Sequence, residues 1–261
     1  MKKLLLIHAI LATGLIQSCT MVKVRSSEKR NPIPQSVVVD QELKITSWGA
    51  IQVNKAHFYP SSFQLKWGGT VSYIDPVEIP DGEKADYIFL THAHPDHFSL
   101  TTIEKIVKPE TVFICPKGVS AKLEKKGYKV REVRPGITIG FNGIQCEAVA
   151  AYNTKNVFLW IKAHPKSKGN VGYVLDFGRT RIYHAGDTDL IPEMDGIASI
   201  AVAMVPVGGD NLTMDVEEAA RMVNQIKPDR VIPMHYELKN SEDLKKFGAL
   251  VGKEIDLLLL E

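Results

Sequence analysis

Residues 91–97 read Thr91-His92-Ala93-His94-Pro95-Asp96-His97. Four side chains able to ligate a metal stand within six residues of one another. Packing does not call for them, because histidine is intermediate in its burial preference and a buried imidazole needs polar partners. The apolar run Tyr87-Ile88-Phe89-Leu90 precedes the segment, and Leu100, Ile103 and Val107 follow it at helical spacing. The segment is therefore a strand-to-helix loop. Thr101-Thr102-Ile103-Glu104 has the form of a capping box for that helix, which Pro109 ends. Neutral imidazoles beside a carboxylate suit zinc, and also iron or manganese. One short loop cannot close four ligands around a single ion in good geometry, so the pattern predicts halves of two sites completed from elsewhere.

The other histidines are His8, His57, His164, His184 and His235. His164-Pro165 precedes a strand-like run from Val171. Asp187 lies in His184-Ala185-Gly186-Asp187-Thr188 at the end of another, and His235 closes Val231-Ile232-Pro233-Met234. Edges of strands are places where side chains converge. Local alternatives exist for each. Gly186-Asp187-Thr188 also suits a turn with Asp187 as an N-cap. The loop Pro165-Lys166-Ser167-Lys168 also fits a solvated turn. His184 stands two residues before the Gly-Asp turn, where it is better placed to orient a ligand than to be one. His57, Asn153 and Tyr236 are candidates for pocket walls, and Asp75 is a candidate partner for the loop histidines.

Residues 41–261 read as one α/β body. Phe63–Trp67, Gly68-Gly69 and Val71–Ile74 form one predicted hairpin. Ile137–Phe141 and Ile144–Ala148 flank Asn142-Gly143 in a second, and Val171–Phe177 and Thr180–His184 make a third. A short helix is predicted over Val119–Lys126, and Val216, Ala219, Ala220, Val223 and Ile226 make the apolar stripe of another, ended by Pro228. Such a mixture predicts sheets covered by helices. Cys115 and Cys146 fall in apolar strand patterns and read as buried free thiols. Trp48, Trp67 and Trp160 read as core or pocket walls, and Leu257–Leu260 as a buried strand.

Lys2 and Lys3 precede an apolar run from Leu4 to Ile16, then Gln17-Ser18-Cys19. The run is short for a permanent span. It reads as a signal peptide over 1–18 of the lipoprotein type, with Cys19 lipidated. Residues 19–40, rich in Lys, Arg and Ser with Pro32 and Pro34, read as a flexible tether. The chain is then an exported cell-envelope lipoprotein of bacterial type. Residues 1–40 hold six basic and two acidic side chains, so the body carries −2 of the overall +2. A mildly acidic body is a poor match for a phosphate backbone, which disfavours nucleic acid as a partner. With 44% apolar and 24% charged residues, the chain is not a disordered one.

The H-x-H-x-D-H loop, a later loop histidine, a G-D-T aspartate and a final histidine occur in the order seen in the metallo-β-lactamase superfamily, which residues 43–261 closely resemble. Tyr73-Ile74-Asp75-Pro76, Ala151-Tyr152-Asn153 and Pro233-Met234-His235-Tyr236 extend the resemblance. It is strongest to the metal-dependent hydrolases that include ascorbate-phosphate lactonase and N-acyl-phosphatidylethanolamine phospholipase D. The G-H-A-S-like element near the start is not intact, since Phe58-Tyr59-Pro60-Ser61 follows Ala56-His57. The resemblance implies a four-layer αββα sandwich and two divalent metal ions. His92, His94 and His164 would hold one ion, Asp96, His97 and His235 the other, and Asp187 would bridge. It further implies a metal-activated hydroxide, oriented by Asp96, acting on an ester, lactone, amide or phosphodiester of a small-molecule or lipid-derived substrate. Two alternatives stand beside it: iron-dependent redox chemistry on the same fold, and a non-catalytic membrane-tethered binding protein.

Overall fold

Turn chemistry and period-2 alternation produce most of the strands in the computed structural model, which describes residues 22–261. The first half of the chain forms β1 (Val24–Ser26), β2 (Gln35–Val38), β3 (Leu43–Ser47), β4 (Ile51–Val53), β5 (Ala56–Tyr59), β6 (Phe63–Trp67), β7 (Thr70–Ile74), β8 (Tyr87–Phe89), β9 (Val112–Pro116) and β10 (Lys129–Val133). The second half forms β11 (Thr138–Phe141), β12 (Ile144–Ala150), β13 (Val171–Asp176), β14 (Arg181–His184), β15 (Val202–Pro206), β16 (Arg230–Met234), β17 (Tyr236–Glu237) and β18 (Asp256–Leu257). Among the described residues four α-helices accompany them: α1 (Leu100–Ile106), α2 (Lys117–Glu124), α3 (Val216–Ile226) and α4 (Ser241–Leu250).

Two seven-stranded sheets result, one ordered β10-β9-β8-β7-β6-β3-β2 and the other β11-β12-β13-β14-β15-β16-β18. A small sheet, β1-β4-β5-β17, lies beside them. The predicted hairpins hold their register. Asn142 and Gly143 take φ values of 44° and 80°, as a tight turn demands, and Phe141 pairs with Ile144. Leu43, Ile45, Phe63, Leu65 and Phe89 of the first sheet pack with Cys146, Tyr173, Leu175 and Ile182 of the second in one continuous core. Removing each such side chain from water contributes roughly 1.5–3 kcal/mol. Ile103 and Ile106 of α1 and Val119 and Leu123 of α2 cover the outer face of the first sheet. Ala219, Ala220 and Val223 of α3 pack against the second. The order is helix, sheet, sheet, helix: the expected four-layer αββα sandwich.

Strands β7, β8 and β9 run parallel in one sheet, and β14, β15 and β16 in the other. Their carboxyl ends are where loops project from an α/β sheet toward a ligand. The loops after β7, β8, β14 and β16 carry Asp75, His92–His97, Asp187 and His235.

Several expectations change. The tether over 19–40 is not a tether where it is described. Residues 24–26 pair with β4, residues 35–38 pair with β3, and the Arg30 guanidinium donates to the carbonyls of Glu78 at 2.7 Å and Ala50 at 3.1 Å. Sheet edges formed later in the chain supply the partners that its polar composition lacks. The cap of α1 is Ser99, whose hydroxyl accepts from Thr102 N, rather than Thr101. The second predicted helix begins at Lys117, two residues early. Trp48 and Trp67 pack on Tyr73 and Phe177, but Trp160 is 80% exposed. Of the run Leu257–Leu260 only Leu257 falls in a strand, Asp256–Leu257. Cys115 and Cys146 are buried free thiols, and burial pushes Cys115 up to about 12. The signal segment over 1–18 and Cys19 lie outside the described residues.

Candidate metal centre

Asp187 stands where the two sheets meet, buried at the turn after β14. Its Oδ2 lies 3.2 Å from His235 Nε2, 3.3 Å from His97 Nε2, 3.4 Å from His164 Nε2 and 3.7 Å from His92 Nε2. Asp96 closes the cluster on the solvent side, a quarter exposed, with Oδ2 3.5 Å from His235 Nε2 and 3.8 Å from His97 Nε2. His94 turns its Nδ1 to within 3.1 Å of His164 Nε2. The ligand atoms of His92, His94 and His164 lie within 4.8 Å of one another, as do those of Asp96, His97 and His235. Both triads proposed from the resemblance are thus assembled in space, with Asp187 between them.

Most of the imidazoles are oriented from behind. His97 Nδ1 donates to Asp75 Oδ2 at 2.7 Å. Thr91 Oγ1 donates to the same oxygen at 2.6 Å, which leaves it to accept from His92 Nδ1 at 3.0 Å. His164 Nδ1 faces two acceptors, Asn153 Oδ1 at 2.9 Å and the Leu212 carbonyl at 3.1 Å. In each case Nδ1 carries a proton, and Nε2 is the atom turned into the cluster. His184 has neither nitrogen free. Nε2 donates to the Ser61 carbonyl at 2.9 Å, and Nδ1 accepts from Gly186 N at 3.2 Å, holding the turn that presents Asp187. Asp75 and His235 both adopt left-handed backbone, φ 45° and 52°, a conformation that concentrates at functional positions. Gly208 lies so close to His235 that a Cβ there would collide with the His235 carbonyl oxygen.

His57 and Tyr236 stand apart from the cluster. His57 Nδ1 engages Ser27 Oγ at 2.7 Å. The Tyr236 hydroxyl donates to Glu261 Oε1 at 3.1 Å, and burial followed by that carboxylate pushes its ionisation up. Three supporting residues carry no local signal of their role: Thr91, Ser61 and Asp189. The Asp189 carboxylate accepts from Asn153 Nδ2, from the backbone of Thr154 and Lys155, and from Thr154 Oγ1. A cavity of about 210 Å³ opens on His92 and His94, lined also by Lys122, Lys168 and Asn170. A larger one of about 450 Å³ over Ala148–Tyr152 and Glu193 includes none of the cluster.

The electrostatics split the histidines into two kinds. Burial holds His92 well below the ordinary histidine value and His164 at about 4, against the pull of Asp187. Burial acts on His97 and His235 in the same sense, but Asp187, with Asp75 and Asp96 on His97 and Asp96 on His235, outweighs it. His97 is raised well above the ordinary value, and His235 to about 10. Asp96 and Asp187 are held below the usual carboxylate range, because His97 and His235 outweigh the burial that would raise them.

The donor set fits divalent cations. His92 Nε2, His97 Nε2 and Asp187 Oδ1 are buried without a hydrogen-bond partner, a costly state for polar atoms unless something else satisfies them. His94 Nδ1 and His164 Nε2 face each other at a distance that calls for a proton or a cation between them.

Comparison with known proteins agrees with this geometry. The family model described as a beta-lactamase superfamily domain matches residues 57–235, and the chain belongs to that family. A UPF0173 metal-dependent hydrolase of Thermoplasma acidophilum is 35% identical over 183 residues, 66% of this chain and 76% of the relative. The crystal structure of a candidate metal-dependent hydrolase from Parabacteroides distasonis superposes with a TM-score of 0.70 at 27% identity, covering 88% of this chain and 98% of that one. CmlA, a diiron beta-hydroxylase of Streptomyces venezuelae, shares the fold with a TM-score of 0.61 at 16% identity, covering 80% of this chain and 54% of that one.

Proposed function

We propose that this protein is a hydrolase that holds two divalent cations and cleaves an ester, lactone, amide or phosphodiester. The observation that carries the proposal is the convergence of four imidazole nitrogens on one Asp187 oxygen, with ligand-type atoms left buried and unpartnered. In this reading His92, His94 and His164 hold one cation, Asp96, His97 and His235 hold the other, and Asp187 serves both. Zinc suits the set, and manganese or iron would also be accepted. Bound there, divalent cations supply a nucleophile from water near neutral pH and stabilise the oxyanion that develops on the substrate.

The chain's own part is positioning. Asp75, Thr91 and Asn153 hold protons on the Nδ1 atoms of His97, His92 and His164, so Nε2 is the nitrogen each would offer to a cation. Asp96, ionised and on the solvent side, is the group placed to orient an attacking water through its carboxylate. Tyr236 is tied to Glu261 and is a poor leaving-group acid. The metal-dependent hydrolase among the relatives supports hydrolysis. Fold alone does not, since CmlA shares it. The test is elemental analysis of metal-replete protein, followed by a panel of phosphodiesters, lactones, thioesters and a β-lactam. About two ions per chain and turnover of one class are expected. One ion or fewer would overturn the two-cation assignment. An iron-dependent absorption band with oxygen uptake and no hydrolysis would replace the activity with redox chemistry.

We also propose export and lipid attachment at Cys19, supported by the basic start and apolar run of the sequence alone. Labelled fatty acid should enter the wild-type protein, but not Cys19→Ala, in a bacterial host.

A further inference from the structure

The loop from Asn153 to His164 is fixed at its base and bare at its tip. Asn153 bonds to His164, and Thr154 and Lys155 bond to Asp189. At the tip, Ile161 N donates to the Phe158 carbonyl at 2.8 Å, and Asn156 Nδ2 to the Leu159 carbonyl at 2.7 Å. Leu159 takes a left-handed φ of 47°. This bonded turn holds Leu159 and Trp160 out at 61% and 80% exposure. Asn211 Nδ2 donates to the Asn156 carbonyl and brings up the next loop, whose Leu212 is also partly exposed. Adjacent large apolar side chains held in water by an ordered turn mark a contact surface.

Charge identifies the partner. Residues 153–170 contain four lysines and no acid, on a body whose net charge is −2. Lys155 is paired with Asp215 and Glu218, and Lys166 with Glu193. Lys162, whose ammonium donates to the Thr154 carbonyl, and Lys168 make no ion pair with any described residue, and Lys168 also lines the cavity that opens on His92 and His94. Two acids stand on the neighbouring loop, Asp215, which is paired with Lys155, and Asp210. Tryptophan and leucine at a tip with lysines behind suit a bilayer surface: the indole sits at headgroup level, and lysine stems reach back to anionic headgroups. With two lysines left without an acid, Lys162 and Lys168, the tip is poorly complementary to a second copy of itself.

We propose that the Leu159–Trp160 tip inserts into an anionic lipid surface and docks the rim of the metal centre there. Trp160 is four residues from His164, a span of at most about 14 Å, so the inserted tip and the ligand share one short segment. The contact is separate from any attachment at Cys19 and does not depend on which bond the enzyme cleaves. Among the described residues no helix is long and apolar enough to cross a membrane.

The test uses the full chain and phosphatidylglycerol vesicles with brominated acyl chains. Tryptophan fluorescence should be quenched, far less so with phosphatidylcholine, and the quenching should vanish in Trp160→Phe while Trp67→Phe retains it. The double variant Leu159→Ser, Trp160→Ser should weaken vesicle binding about tenfold or more. Attachment through residues 1–21 alone would leave Trp160 unquenched. Absence of quenching in the wild type, or quenching that persists in Trp160→Phe, overturns the proposal. So does a concentration-dependent dimer that the double variant abolishes while vesicle binding is unchanged.

Discussion

His164 divides its two nitrogens between structure and chemistry: Nδ1 is held by Asn153 and the Leu212 carbonyl, and Nε2 faces His94 and Asp187. His184 spends both nitrogens on the backbone. The two residues should therefore respond differently to substitution. His164→Ala is expected to lose one metal ion and lower turnover by more than about 100-fold, whereas His184→Ala keeps both ions and loses about 10–100-fold through a misplaced Asp187. Metal content measured beside kcat separates them, and a His184→Ala protein lacking an ion would refute the assignment. A second prediction concerns protons. In the metal-free chain His97 and His235 are raised, His235 to about 10, so both are charged at pH 7. Their pairing with Asp187 and Asp96 contributes stability that is complete below about 6.5 and is lost as pH climbs through the raised values. Metal ligation needs both neutral, so loading at pH 7 should expel about two protons per chain. Calorimetric titration in two buffers of different ionisation enthalpy reads that number, and zero release would contradict it.

At the scale of elements, local chemistry was legible where it is self-sufficient. Val216–Ile226 is the helix that its apolar stripe predicts, and its start is a full capping box: Asp215 accepts from Glu218 N while Glu218 Oε2 accepts from Asp215 N. Asp215→Ala should cost about 1 kcal/mol in urea unfolding, with activity per folded molecule unchanged, because Lys155 keeps Glu218 as a partner. Elements that depend on distant partners were not legible. β1 and β2 borrow their hydrogen bonds from β4 and β3, and α1 takes its cap from Ser99, although Thr101 begins the better sequence match.

Over the whole molecule, the histidine–aspartate cluster joins two sheets that also share a large apolar core. Chelation should therefore abolish activity while leaving the far-UV circular dichroism of the folded state. Restoring metal at 100 times its Kd adds about 2.7 kcal/mol, equivalent to a rise of roughly 5–10 °C in Tm for a chain of this size. Loss of the folded signal on chelation would show instead that the cations hold the sheets together.

Sequence alone determined which ligand-type residues the chain carries and their order, the tight hairpins and the apolar face of Val216–Ile226. Each of these is local: a turn needs particular φ values, a helix a particular spacing, a metal particular donor atoms. Tertiary structure decided what locality cannot. It brought Asp187 within reach of four imidazoles drawn from residues 92 to 235, turned His184 away to the Ser61 carbonyl, drew residues 24–26 and 35–38 into sheets, and left Trp160 in solvent. Those outcomes follow from which strands pair and how the two sheets stack, and that pairing is set by burial summed over the whole core rather than by any one segment.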